Sequence, residues 1–110
     1  MSDEERINVI IKRPDEKYGH RASIKNTLKN FQKIVEGNIE VVSYWPDTVI
    51  IANEEGKVKG LRPNFYLGTF PDGDLIVGTV IVCGVDGEEF TDCPLSKWKW
   101  EQYLERWGNY

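Results

Sequence analysis

A chain of 110 residues with an apolar fraction of 40% holds enough hydrophobic material for one core and is short for two, so a single domain over 1–110 is expected. Fourteen Lys and Arg against eighteen Asp and Glu leave a net charge of −4, which disfavours attraction to phosphate backbones and argues against a nucleic-acid binder. Cys83 and Cys93 fit no zinc or redox spacing, and free thiols in a reducing compartment are their expected state.

The opening is polar and acidic, a flexible start over 1–5 that lacks the basic and apolar stretches of a secretory signal. Ile7, Val9 and Ile11 then alternate with the period of a strand that has a buried face. Pro14, Asp15 and Gly19 break that strand. The basic residues around the break, Lys12, Arg13, Lys17 and Arg21, are diluted by Asp15 and Glu16 and read as a solvated loop. Arg21–Ile24 is a short partner strand, after which Asn26 is the expected helix cap, with Ser23 as its rival. Leu28, Phe31 and Val35, with Ile34 at the edge, form the apolar stripe of that helix, and Gly37 is expected to end it in the left-handed conformation.

Ile39–Tyr44 and Thr48–Ala52 are β-branched segments separated by Trp45, Pro46 and Asp47, the pattern of a hairpin. A turn follows at Asn53–Gly56, with Gly56 suited to positive φ and Lys57–Gly60 as a short return strand. From Leu61 to Gly73 periodicity is lost, and Pro63, Gly68, Pro71 and Gly73 punctuate a long connection. Leu75–Val85, apolar on both alternating faces, reads as a central strand; it is broken by Gly78, Thr79 and Gly84 and is too short to span a membrane. Ser96 caps a last helix in which Trp100, Tyr103, Leu104 and Trp107 share one face. The sum is an α+β fold: a mostly antiparallel sheet of about four to six strands with two packed helices, near 26–36 and 96–107. A cytoplasmic protein with no membrane association is the expectation.

The strings NTLKNFQKIVEGNIEVV from Asn26, NEEGKVKGLRPN from Asn53, DLIVGTVIVCG from Asp74 and EEFTDCPLS from Glu88 carry a family likeness. In this order they resemble the domain-of-unknown-function family DUF3846, small proteins of Gram-positive bacteria, their mobile elements and phages. The resemblance implies a helix beginning near Asn26 and a last helix beginning near Ser96. It implies no biochemical activity. It implies a setting among accessory genes, where countering host defences is a frequent role. Asn53, Gly56, Asn64, Asp74 and Gly78 match the family's polar pattern, whereas WKWEQYLERW is richer in aromatics than that pattern.

Catalysis needs a nucleophile, an acid–base pair or a metal, and little here supplies one. His20, the single histidine, lies in a loop where an exposed, freely titrating ring is ordinary. No glycine-rich phosphate loop or nucleophile elbow occurs. Glu54 and Glu55 diverge from a turn, and Asp72-Gly73-Asp74 lacks the spacing and closing Glu of a calcium loop, so no metal or other cofactor is expected. The chain is not expected to be an enzyme.

Two candidate surfaces remain. Asn53, Arg62, Asn64 and Asp74 fall at strand ends or in the aperiodic connection, where Asn and Arg donors read carboxylates, phosphates or peptide groups. Against this, asparagines in turns ordinarily satisfy local backbone amides. Trp98 lies off the apolar stripe of the last helix, and Tyr110 is likewise unassigned; exposed aromatics are favoured interface anchors. The first expectation is a noncatalytic accessory protein that binds and modulates a host protein, with a homodimer through the last helix compatible with it. The second is a binder of a small nucleotide-like anion, and the third is an enzyme of unknown class.

Overall fold

The computed structural model describes residues 5–68 and 73–108, with the backbone alone at Trp107. The start 1–4, Asp72, the Trp107 side chain and Tyr110 lie outside the described residues. Strands β1 (Arg6–Lys12) and β2 (His20–Lys25) precede helix α1 (Leu28–Val35), and β3 (Ile39–Trp45) forms a hairpin with β4 (Thr48–Asn53). Then follow β5 (Pro63–Leu67), β6 (Asp74–Val77), β7 (Val80–Asp86), β8 (Glu89–Thr91) and helix α2 (Lys97–Tyr103), which runs on into a wider π turn over Leu104–Gly108.

The main sheet has six strands in the order β2-β1-β7-β4-β3, with β8 also paired to β7, and every pair is antiparallel. This is the expected α+β class. A second ribbon, β5-β6, lies apart from it. Three expectations change here. The connection 61–73 contains a strand, β5, hidden from periodicity because a register shift between Pro63 and Phe65 leaves two successive residues, Asn64 and Phe65, buried. The apolar run 75–85 is two strands in two different sheets, broken at Gly78, whose φ of 76° turns the chain from the ribbon into the main sheet. Lys57–Gly60 is a turn and no strand, and its positive φ belongs to Gly60 and not to Gly56.

Burial on both faces explains the unbroken apolar character of β4 and β7. One set of alternate residues, Ile7, Val9 and Ile11 with Val49, Ile51, Ile81 and Cys83, packs under Phe31 and Val35 of α1. The opposite set, Ile10, Ile50, Val80 and Val82, packs under Phe65 and Ile76 of the ribbon and Trp100 and Leu104 of the last helix. Three layers result: α1, the sheet, and the ribbon with α2. Leu28 does not join the stripe assigned to it and is 56% exposed.

Helix α1 has caps other than those expected. Thr27 accepts the Asn30 amide, while the Asn26 side chain donates instead to the Phe90 carbonyl. At the other end Glu36, not Gly37, takes the left-handed conformation, with φ 66°. Gly37 serves a different need. A Cβ there would meet Asn53 Nδ2 at 2.6 Å, and that amide donates to the carbonyls of Val35 and Glu36, 3.1 Å from each. Asn53 is thus a C-terminal cap delivered from β4, with its own Oδ1 accepting the Glu55 amide.

Lys12 leaves the basic surface cluster altogether. It is 2% exposed, and its ammonium donates to Asn64 Oδ1 at 2.5 Å. Burial pulls the ammonium below its ordinary value, an effect that Glu16 and Asp15 oppose. The amide of Asn64 donates in turn to the carbonyls of Lys12 and Gly78, at 2.9 and 2.8 Å. One side chain therefore ties the ribbon to the main sheet and to the glycine corner. Among the described residues every buried side-chain nitrogen and oxygen has a partner.

Two pairs of substitutions test these roles by urea unfolding. Asn64→Ala leaves a buried ammonium without its acceptor and removes two further hydrogen bonds, and should lower stability by about 3 kcal/mol. Exposed Arg62→Ala should stay within about 0.5 kcal/mol of the parent. Gly37→Ala should destabilise by about 1–3 kcal/mol through the collision with Asn53. Glu36→Gly, one position earlier, should be neutral or stabilise by about 0.5 kcal/mol.

Candidate functional site

An apolar groove of about 340 Å³ lies where the end of β3 meets helix α2; its walls are Tyr44, Trp45, Leu95, Trp98, Lys99, Gln102, Tyr103 and Arg106. The α2 wall has helical logic. Positions 95, 98, 99, 102, 103 and 106 recur at steps of three and four, a second face beside the buried Trp100–Leu104 stripe. The β3 wall depends on an irregularity. Ser43 pairs with Val49 but Trp45 pairs with the next residue, Thr48, so Tyr44 is an extra residue in the strand. Strict alternation would place Tyr44 and Trp45 on opposite faces of the sheet; the bulge brings both to the groove.

The inner wall is fixed by ring packing. Tyr44 meets Trp100 and Tyr103 edge-on, with centroids 5.9 and 4.9 Å apart, and Phe65 of β5 meets Trp100 edge-on at 5.4 Å. Trp100 Nε1 donates to the Tyr18 carbonyl at 2.8 Å. The Tyr103 hydroxyl donates to the Tyr66 carbonyl at 2.9 Å and accepts the Gly68 amide at 3.0 Å. Burial pushes the Tyr44 phenol up, reinforced by Tyr103 and Cys93; burial also raises Tyr103, against the Gly68 amide. Both phenols are therefore neutral across the physiological range.

The outer wall has a different character. Trp45 is 62% exposed and Trp98 is 65% exposed, and their indoles flank an opening. Lys99 and Arg106 are the charged residues of the lining, and no carboxylate joins them. A protein of net charge −4 thus carries an apolar groove with a cationic rim. Such a surface can take up aromatic or aliphatic groups and hold a carboxylate or phosphate beside them. Sequence reading singled out Trp98 but placed Trp45 only in a turn. The i, i+4, i+8 spacing of Trp98, Gln102 and Arg106 was the available signal for the wall.

None of the four polar candidates lines this groove, and only Asn53 and Asp74 share a hollow of their own. Asn53 and Asn64 are buried, with their amides committed to the bonds already described. Arg62 is exposed, and its carbonyl accepts the Gly78 amide. Asp74 pairs with Lys57, and together with Asn53 these residues border a more polar hollow of about 170 Å³. Cys83 is buried, with its thiol pushed up to about 12 by burial, reinforced by Cys93. No helix is long and apolar enough to cross a membrane, and no group of three or more His, Cys, Asp or Glu could hold a metal, both among the described residues.

His20 does acquire a carboxylate neighbour, with Nδ1 2.8 Å from Glu16 Oε2, but neither residue lines the aromatic groove. Burial would raise the Glu16 carboxyl; the Arg13 amide, at 2.9 Å, and the His20 ring outweigh it and hold the group below its ordinary 4.5. A carboxyl depressed in the folded state stabilises the fold above its unfolded value, and that contribution is lost as pH falls through the folded value. The stability gap between the parent and Glu16→Gln should therefore be full at neutral pH and close as pH drops below about 4.5, measured by thermal unfolding across the acid range.

No curated protein and no solved structure matches the chain. The sequence profile of one family, a domain of unknown function (DUF3846), matches residues 7–108, a span that takes in the sheet, the ribbon and both walls of the groove. The chain belongs to that family.

Proposed function

We propose that this chain is a noncatalytic binding protein that grips a partner protein through the aromatic groove and so modulates or inhibits it. The observation that carries this reading is the pair of tryptophans, Trp45 and Trp98, exposed on either side of an apolar opening whose inner wall is held rigid by edge-on rings. Tryptophan and tyrosine bury large areas with few rotors to freeze, which is why they dominate interface energetics. The partner's complementary patch is apolar with an acidic margin, to meet Lys99 and Arg106. A host protein as target, in the manner of an anti-defence factor, fits the accessory-gene setting that the family resemblance implies.

A second reading is favoured by the same cations. An indole face beside an ammonium and a guanidinium also suits a nucleotide-like anion, stacked on Trp98 with its phosphate at Lys99. It moves the small-ligand site from Arg62 and Asn64 to the groove.

Affinity capture from host lysate with the parent, Trp98→Ala and Arg62→Ala proteins, read by quantitative mass spectrometry, separates these readings when joined to native mass spectrometry of the purified parent. The first reading expects a captured protein that falls by about tenfold or more with Trp98→Ala and is retained by Arg62→Ala. An added mass of nucleotide size, lost with Lys99→Glu, would replace it with the second. A protein held equally by all three variants would remove the groove from the function.

A further inference from the structure

The two edges of the main sheet are guarded differently. β2 carries Arg21 and Lys25 along its outer edge, the charges that ordinarily deter strand addition. β3, at the other edge, carries one charge, Glu40, and exposes Val41 and Trp45 at 48% and 62%. Among the described residues nothing pairs with its outer side.

Hydrogen-bond parity gives the direction of its peptide groups. The Glu54 amide donates to the Asn38 carbonyl, and Ile39 lies opposite Asn53, so Asn38 and Glu54 form a hydrogen-bonded pair of the antiparallel ladder. Alternation then turns the peptide groups of Glu40 and Val42 toward β4 and those of Ile39, Val41 and Ser43 outward. A strand whose outward groups fall at odd positions can pair antiparallel with its own copy about Val42. In that register Val41 bonds Ser43 twice, Val42 faces Val42 in the closer, non-bonded pair, and Glu40 of each copy stands opposite Tyr44 of the other. Tyr44 lines the groove beside Lys99, and neither Lys99 nor Glu40 is in an ion pair among the described residues.

We propose that a second copy of this chain docks on the outer edge of β3, joining two six-stranded sheets into one of twelve and bringing Glu40 of each copy to the cationic rim of the other's groove. The dimer extends the sheet beside the groove and gives Lys99 a carboxylate neighbour. The proposal rests on the groove as binding surface only in assigning Glu40 its place; the strand pairing stands on the edge itself.

The test is sedimentation velocity of the intact chain over a wide concentration range, with amide exchange measured at both ends of that range. The expected result is a reversible dimer in which the Ile39, Val41 and Ser43 amides exchange about tenfold or more slowly than in the monomer, those of β2 being unchanged. Val41→Pro removes an outward amide and spares the β4 ladder, so it should abolish the dimer with the melting curve retained. Should that variant unfold, Val42→Cys in a Cys93→Ser background decides: mild oxidation gives a disulfide-linked pair in the proposed register. Glu40→Lys should weaken the dimer about tenfold, and adding Lys99→Glu should restore it. A monomer at every concentration, a dimer that survives folded Val41→Pro, or edge amides unchanged on dimerisation would each overturn the proposal. A monomer whose partner capture still depends on Trp98 refutes only the dimer; a β3 dimer whose capture ignores Trp98 refutes only the groove.

Discussion

The hydrogen bonds of Asn64 hold the two halves of this molecule together. Its oxygen takes the buried ammonium of Lys12 from the main sheet, and its amide takes the carbonyls of Lys12 and Gly78. A charged amine at 2% exposure is tolerable only with such a partner, since desolvating it unpaired would outweigh most single contacts in a small domain. The bond also sets the position of β5. Phe65, the next residue, is thereby pressed against Trp100, the Tyr66 carbonyl accepts the Tyr103 hydroxyl and the Gly68 amide donates to it. The seat of α2, and hence one wall of the groove, follows from a polar contact on the far side of the ribbon.

The groove itself arises from two departures from regularity that meet. One is the bulge at Tyr44, which turns two aromatic rings to the same side of an edge strand. The other is the widening of α2 into a π turn after Tyr103, which keeps Leu104 fully buried while Arg106 stays at the surface. Around them the fastenings are conventional: Ser96 caps α2 by accepting the Lys99 amide, Lys97 pairs with Glu101 at 2.5 Å, and Tyr18 donates to Glu105. Most of these polar contacts lie on the inward and Tyr18 sides of the helix. The side that carries Trp98, Lys99 and Gln102 lines the groove.

Much of the framework was legible because it depends on local chemistry. The alternation in β1, the Pro46-Asp47 turn between β3 and β4 and the Ser96 cap are each encoded within a few residues, and each is found where its pattern puts it. What escaped depends on distant partners. No window of sequence shows that Gly78 must turn between sheets, that Lys12 is sealed beneath Asn64, or that Gly37 is small for the sake of Asn53. The polar set Asn53, Arg62, Asn64 and Asp74 illustrates the ambiguity. An asparagine that caps a helix and one that reads a ligand have the same neighbours in sequence. The groove was half visible: Trp98 stood out by its phase on the helix, whereas Trp45 required a bulge that composition does not announce.

The cap that Asn53 provides has a consequence for how the molecule opens. Helix α1 has eight residues, too few to persist in water without tertiary support. Its last carbonyls are held by an amide rooted in β4, and its apolar face rests on β1, β4 and β7. The helix therefore has no means of fraying independently at its C-terminal end. Loss of that end requires β4 to give up Asn53, and β4 lies between two other strands of the sheet. Helix and sheet form one cooperative unit, so the α1 face can be exposed only in the rare event that opens the whole sheet.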